Sequence, residues 1–366
     1  MSARGERLRR AASAGAPLRV DGRRTGKNVR AMRPARSLPT ASALLALALA
    51  PAAAAQTVPV EPPAAPAPAP PATPAPEPAA AKLSVGVASV GDRGRRWVLA
   101  DERLVAVGRL DPFVDGQRVV VTLYRGKKRL GSRTVKVRDV KGHGQFTVAF
   151  GGVGKTGAYS VLAKHKKTAQ QKGATSKRAR FGAIAGSAGR FQDVRLLQIG
   201  LRRLAYVTPL TGHFQAATRR AVLAFRKVNG MSRSMSPSQR IFKMLFRGLG
   251  GYRLRHPKAG QHVEVSLSRA VLVLADRGVP QRIYHASPGK PSTPTVRGAF
   301  SFYRKQPGTN SHGMVHSVYF HGGYAIHGYK SVPAFPASHG CVRVPIANAL
   351  SIYRSIRLGE KIFVYR

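Results

Sequence analysis

The chain has 366 residues, with 62 Lys and Arg against 14 Asp and Glu and a formal net charge of +48. Its length calls for several structural units, and with 43% hydrophobic and only 21% charged residues it has material for packed cores and is no charged, disordered tail. So few carboxylates leave little room for a two-carboxylate glycosidase or a carboxylate-rich metal site. The single cysteine, Cys341, excludes a disulfide scaffold and a zinc site built on cysteines within one chain.

Residues 42–55 (SALLALALAPAAAA) are apolar, follow Arg33 and Arg36, and end in small side chains. That is the charged, hydrophobic and cleavable order of an export signal, so residues 1–55 read as a signal peptide. Met32 offers an alternative start that would make it compact. Interrupted by Pro51, the run is short for a membrane span of about 20 residues, and membrane contact is expected only through an uncleaved signal. Without these residues the net charge is still about +39. Such a field favours polyanions. For an exported chain these are anionic lipid or acidic wall polymers, and nucleic acid is not expected; a basic surface that merely aids solubility is the plainer alternative.

Residues 56–82 are almost pure Pro and Ala and read as an extended polyproline-type linker. Residues 83–167 read as an all-β, Ig-like sandwich. Val119, Val121 and Leu123 alternate with Val120, Thr122 and Tyr124, and Val135 with Val137 repeats the period of two. Arg125-Gly126, Lys141-Gly142 and Gly151-Gly152 punctuate the runs as turns. Residues 168–190, rich in Lys, Gln, Gly, Ala and Ser, read as a second linker.

From residue 191 the period changes. Val194, Leu197, Leu201 and Leu204 recur at helical steps, and a second helix carries Ala221, Val222 and Phe225 and stops near Asn229-Gly230. A third is expected from Ser236, with Pro237 in its first turn and Gln239 completing a capping box, burying Ile241, Phe242, Leu245 and Phe246. This small three-helix bundle, residues 191–249, resembles the peptidoglycan-binding domain family through Leu197-Gln198, Leu201, Leu204, Tyr206, Gly212, Phe214, Thr218, Ala221-Val222, Phe225 and Gly230. Thr211 and Arg226 stand where that family usually has Asp and Gln.

From Gln261 strands return: Val263, Val265 and Leu267 alternate, residues 270–275 form a buried run ending at Asp276-Arg277-Gly278, and Val318-Tyr319-Phe320 follow later. Then comes HGGYAIHGY, with His327, and fourteen residues further on Cys341 within PASHGCVR. Cysteine attacks as thiolate, so a useful nucleophile needs its pKa lowered by an imidazolium or by oriented N–H groups. His327 and His339 are both near enough in sequence to pair with it. Gly340 would let the backbone approach a substrate, and the Gly340 and Cys341 amides could face a developing oxyanion. A buried, inert cysteine is the alternative, which this compact cluster disfavours. His312, His316 and His321 lie nearby, yet with so few carboxylates no metal site is expected.

SHGCVR preceded by IHG at this distance, with PTVRGAF upstream, resembles the signature of the L,D-transpeptidase catalytic domain (the YkuD-like family) over residues 261–366. The resemblance implies a β-rich domain acting on peptidoglycan stem peptides. Cys341 would be the nucleophile, His327 its base, and the Gly328 carbonyl the group that orients the imidazole. His339, Ser338 and Tyr324 would shape the substrate pocket, Arg343 would hold a substrate carboxylate, and the Gly340 and Cys341 amides would form the oxyanion hole. A 3→3 cross-link would result; trimming by an L,D-carboxypeptidase and non-catalytic wall or polyanion binding are the alternatives. No metal or organic cofactor is implied, peptidoglycan peptides and glycan are the expected partners, and the expected location is outside the cytoplasm, at the cell wall.

Overall fold

Among the described residues eleven strands precede the first helix: β1 (Lys82–Val87), β2 (Val90–Asp92), β3 (Arg95–Leu99), β4 (Leu104–Asp111), β5 (Arg118–Arg125), β6 (Lys128–Lys136), β7 (Arg138–Val140), β8 (His143–Phe150), β9 (Gly157–His165), β10 (Ala174–Thr175) and β11 (Ala179–Ile184). The computed structural model describes residues 76–366; the expected signal peptide and residues 56–75 of the Pro/Ala linker lie outside the described residues. The strands form two sheets, in the orders β1-β4-β8-β7 and β2-β3-β11-β9-β5-β6, with β10 paired to β9. Val119, Val121 and Leu123 of β5 are buried, and Val120, Thr122 and Tyr124 on its other face are half-buried. The buried set meets Leu104, Ala106 and Leu110 of β4 and Phe146, Val148 and Phe150 of β8 in a single apolar core between the sheets. Gly126, Lys141 and Gly142 all have positive φ, as tight hairpin turns require.

Residues 168–190 are no linker. β11 pairs antiparallel with β9, Phe181 opposite Tyr159, and parallel with β3, Gly182 opposite Trp97. Phe181, Ala183 and Ile184 are buried, an apolar run too short and too diluted by Lys and Arg to stand out in the sequence. A β-carbon on Gly182 would sit 2.3 Å from the Trp97 ring, so only glycine lets the indole cover this strand. The end of the expected spacer joins too, since Ala79 N donates to Gln170 O and Ala79 O accepts from Lys172 N (3.0 and 2.8 Å).

Three helices follow: α1 (Phe191–Arg203), α2 (Ala216–Val228) and α3 (Gln239–Phe246). α3 starts later than the sequence predicts, and the capping box does not form. Its N-cap is Ser238, without a side-chain bond, because Gln239 Nε2 donates instead to the carbonyls of Ala185 (2.6 Å) and Gly186 (3.3 Å). In α1 the buried Asp193 accepts from Gly186 N and Ser187 N (2.8 and 2.9 Å), and Arg195 pairs with Asp92 at 2.9 Å. These bonds dock the helices on the β unit. Their apolar faces merge into one core with Leu99 and Ile184 on one side and Val271, Val273, Ala275 and Ile283 on the other.

The remaining elements are β12 (His262–Ser266), β13 (Val271–Asp276), β14 (Val279–His285), β15 (Gly298–Ser301), β16 (Arg304–Thr309), β17 (Val315–His321), β18 (Tyr324–Tyr329), β19 (Val342–Pro345), α4 (Ile346–Ser355) and β20 (Lys361–Tyr365). They form two sheets, β14-β13-β12-β20-β15 and β16-β17-β18-β19. Val263, Val265, Leu272, Ile362 and Val364 of the first meet Val318, Phe320, Ile326, Val342 and Val344 of the second, with Ile352 of α4 beside them. β12 is buried on both faces. Its Glu264 accepts from Arg255 N (2.9 Å), His256 N (2.7 Å) and the Tyr365 hydroxyl, fastening the connection from the helices to this sheet. Burial works against that carboxylate, but its hydrogen-bond donors win and hold its pKa below the ordinary value.

Candidate active site

β18 and β19 run parallel, with Ile326 opposite Val342 and His327 opposite Arg343. Cys341 immediately precedes β19, two residues before Arg343. Side chains alternate along a strand, so Cys341, Arg343 and His327 share one face of the sheet. Of the two histidines the sequence left open, His327 is the one on the adjoining strand. His339 is exposed and takes no part in these hydrogen bonds.

His327 is buried, and its Nδ1 donates to the Gly328 carbonyl at 2.9 Å. A carbonyl only accepts, so this bond places the proton on Nδ1 and leaves Nε2 with its lone pair. Burial above all lowers the imidazole pKa below its usual value; the Gly328 carbonyl opposes this and the Arg343 charge adds to it. At neutral pH the ring is therefore uncharged and able to accept a proton.

The Cys341 thiol donates to the Gly323 carbonyl at 3.6 Å. Burial pushes its pKa above the ordinary thiol value, against the pull of the Ala325 N–H and Arg343. Burial thus favours the uncharged thiol and the uncharged imidazole alike.

Ser338 is buried; its hydroxyl donates to the Cys341 carbonyl and accepts from Gly340 N at 3.1 Å. The Gly340 amide is thus already engaged, which removes it from the expected oxyanion pair and leaves the Cys341 amide. Gly340 has φ +121°, and a β-carbon there would meet the Tyr324 ring at 2.8 Å. The close approach this glycine permits is to Tyr324 rather than to a substrate. Arg343 lies over the Tyr329 ring, 4.2 Å from its centre, and its buried Nε has no partner. Tyr329 in turn meets His327 edge to face at 5.6 Å. The other histidines go elsewhere: His316 accepts from Gly308 N, His321 packs on Phe300, and His312 is exposed. Among the described residues no group of three His, Cys, Asp or Glu could hold a metal ion.

Sequence reasoning missed what holds the cysteine loop. Ser287 exchanges two backbone bonds with Arg343 (2.9 and 3.0 Å), and its hydroxyl donates to Phe335 O at 2.7 Å. The Pro288 carbonyl accepts from Ala337 N and Ser338 N (2.9 and 3.1 Å). From α2, the buried Lys227 reaches across to donate to Ala270 O, Ala286 O and His285 Nδ1 at 3.1, 3.0 and 2.8 Å. His285 Nε2 then donates to Val332 O at 2.9 Å, in the loop that leads to Cys341. Arg233 donates to Ala334 O (3.0 Å) in the same loop. The available signal was a lysine three and four residues beyond Ala224 and Leu223, on the apolar face of α2.

Residues 260–364 match the family model of the L,D-transpeptidase catalytic domain, YkuD. The chain is 33% identical to an L,D-transpeptidase from Xylanimonas cellulosilytica, covering 49% of this chain and 95% of that one, with a TM-score of 0.45. The chain belongs to the L,D-transpeptidase catalytic-domain family. An L,D-transpeptidase (Yku) from Stackebrandtia nassauensis is 21% identical, over 49% of this chain and 92% of that one, with a TM-score of 0.32. One from Mycobacterium tuberculosis is 19% identical over 29% of this chain and 58% of that one, with a TM-score of 0.27. No curated protein matches. Membership rests on the family model and the 33% identity. The transpeptidase domain so defined contains Cys341, His327, Ser338 and Arg343, while Lys227 and Arg233 reach it from outside.

Proposed function

We propose that this chain is an exported peptidoglycan L,D-transpeptidase that forms 3→3 cross-links through a Cys341 thioester. The observation that carries this reading is Cys341 and His327 on one face of adjacent parallel strands, inside a transpeptidase-family domain. His327 Nε2 takes the thiol proton as Sγ attacks the carbonyl carbon of the third residue, a diamino acid, of a tetrapeptide stem. The Cys341 amide faces the oxyanion. Collapse breaks the peptide bond, and the D-alanine amine leaves with the proton from His327. The side-chain amine of a second stem then attacks the thioester, His327 accepts its proton, and the thiol is restored. Arg343 holds a substrate carboxylate by a forked contact from its terminal nitrogens. His339 and Tyr324 line the approach of the donor stem, and the buried Ser338 braces the loop beneath it. This chemistry calls for no cofactor.

The rest of the chain fits the same task. The proposed order is a cleaved signal, a Pro/Ala spacer, an Ig-like sandwich, a helical module that binds wall glycan, and the transpeptidase. High positive charge favours residence among acidic wall polymers. The test is mass spectrometry of tetrapeptide muropeptides incubated with the full chain and with Cys341→Ala. Dimers that have lost one D-alanine, absent with the variant, are expected. Tripeptides without dimers would make the protein an L,D-carboxypeptidase, and identical spectra from both would leave a wall-binding protein.

A further inference from the structure

A cavity of about 480 Å3 opens where α2 meets the transpeptidase domain, and neither Cys341 nor His327 lines it. Arg219, Arg220 and Lys330 line it, with Tyr329, Met235 and Ile346. Among the described residues none of these three cations forms an ion pair. Arg220 is half-buried, and its Nε is shut off from solvent with no hydrogen-bond partner. A solvent-excluded Nε is also out of reach of an anion in the cavity, so the contact Arg220 offers is through the part of its side chain that lines the cavity. The cavity also takes in the first turns of two helices. Ala216 opens α2, and Ile346 and Ala347 open α4. Neither start has a side-chain cap or an acidic residue in its first turn, so amide donors and both positive helix ends are left without an anion.

We infer that this cavity is a phosphate-binding site, taking a phosphoryl group either as the free ion or as one link of a phosphodiester polymer. Two guanidiniums, an ammonium and two helix starts line the space. A tetrahedral group can use its oxygens in all those directions, whereas a planar carboxylate offers only two. The apolar part of the wall leaves room for the polymer's carbon backbone. The site does not depend on the transpeptidase reading, because no group in it belongs to the catalytic pair.

The test is calorimetric titration of the full chain with inorganic phosphate and, separately, with a glycerol phosphate oligomer. Arg220→Gln/Lys330→Gln is compared with a control of equal charge loss, Lys127→Gln/Lys128→Gln, at the exposed turn and start of β6. Saturable binding is expected, weakened about tenfold or more in the cavity variant and unchanged in the control. Ala347→Glu, a favourable residue for a helix start, should abolish binding while keeping or raising the melting temperature. If inorganic phosphate and the oligomer both bind, the site accepts the group itself; if the oligomer alone binds and the cavity variant loses it, the ligand is the polymer. Equal binding by the parent and the cavity variant, equal weakening in the control, or no binding of either probe would overturn the proposal.

Discussion

Lys227 Nζ, on α2, lies 2.8 Å from His285 Nδ1 at the end of β14, and the other ring nitrogen of His285 holds the Val332 carbonyl. The helical segment is therefore tied to the cysteine loop by a buried side-chain relay. Three acceptors match the three N–H groups of an ammonium, although burial draws Lys227 down to about 7. Replacing Lys227 by Met leaves Ala286 O and His285 Nδ1 without a donor and Ala270 O with the Ala286 N–H alone. We expect a loss of about 2–4 kcal/mol in unfolding free energy. Turnover should also fall, through slackening of residues 332–340. Denaturant unfolding and steady-state kinetics of Lys227→Met check both, and a variant as stable and active as the parent would contradict the role.

The same pair sets a pH dependence. Burial, with the Lys227 charge, lowers His285 to about 3, from 6.5. Between those values the unfolded chain binds the extra proton, so stability rises with pH across that window, by at most about 1.4 kcal/mol per unit. Lys227 has the same sign between about 7 and 10.5, where the unfolded chain is again the more protonated. Unfolding free energies measured from pH 4 to 6.5 should climb in the parent and flatten in His285→Gln.

A chain cut to residues 261–366 should aggregate. Val271, Val273, Ala275 and Ile283 of its outer sheet are covered by Phe225, Tyr206 and their neighbours. Ile283 also exchanges backbone bonds with the segment after α1, to Ala205 O at 2.8 Å and from Val207 N at 3.2 Å. Removing that cover exposes an apolar face and an open strand edge together. Solubility and size-exclusion profiles of this fragment against the full chain decide the point.

Arg343 acts on both Cys341 and His327. Its charge lowers the pKa of His327 and, less than burial raises it, that of Cys341. In Arg343→Gln the imidazolium is less penalised and the thiolate less favoured, so both pKa values rise. The pH profile of Cys341 alkylation should move to higher pH as a whole, and an unmoved profile would separate Arg343 from the thiol.

The strands around Val119–Leu123, the helical periods of α1 and α2, and the proximity of Cys341 to His327 were legible because each rests on local spacing. β11 was not, since its burial depends on Trp97 and Tyr159 far away in the chain. The helix start at Gln239 was displaced for a similar reason: the carbonyls of Ala185 and Gly186 take the side chain that would have closed a capping box. At the site, residue types singled out Cys341 and His327 but not their hydrogen-bond partners. Only the folded chain reveals that Ser338 occupies the Gly340 amide and that Tyr324 fills the space beside it. Ser338→Ala should therefore impair turnover although its hydroxyl is buried against the backbone, by leaving the Gly340 N–H and the Cys341 carbonyl unmatched.

The most direct test is intact-protein mass spectrometry of the full chain mixed briefly with a tetrapeptide donor in the absence of acceptor. An adduct with the mass of the tripeptide acyl group, mapped to Cys341 and absent from Cys341→Ala, is the expected result. Release of D-alanine without any adduct, or an adduct that persists in Cys341→Ala, would contradict a thioester at this cysteine.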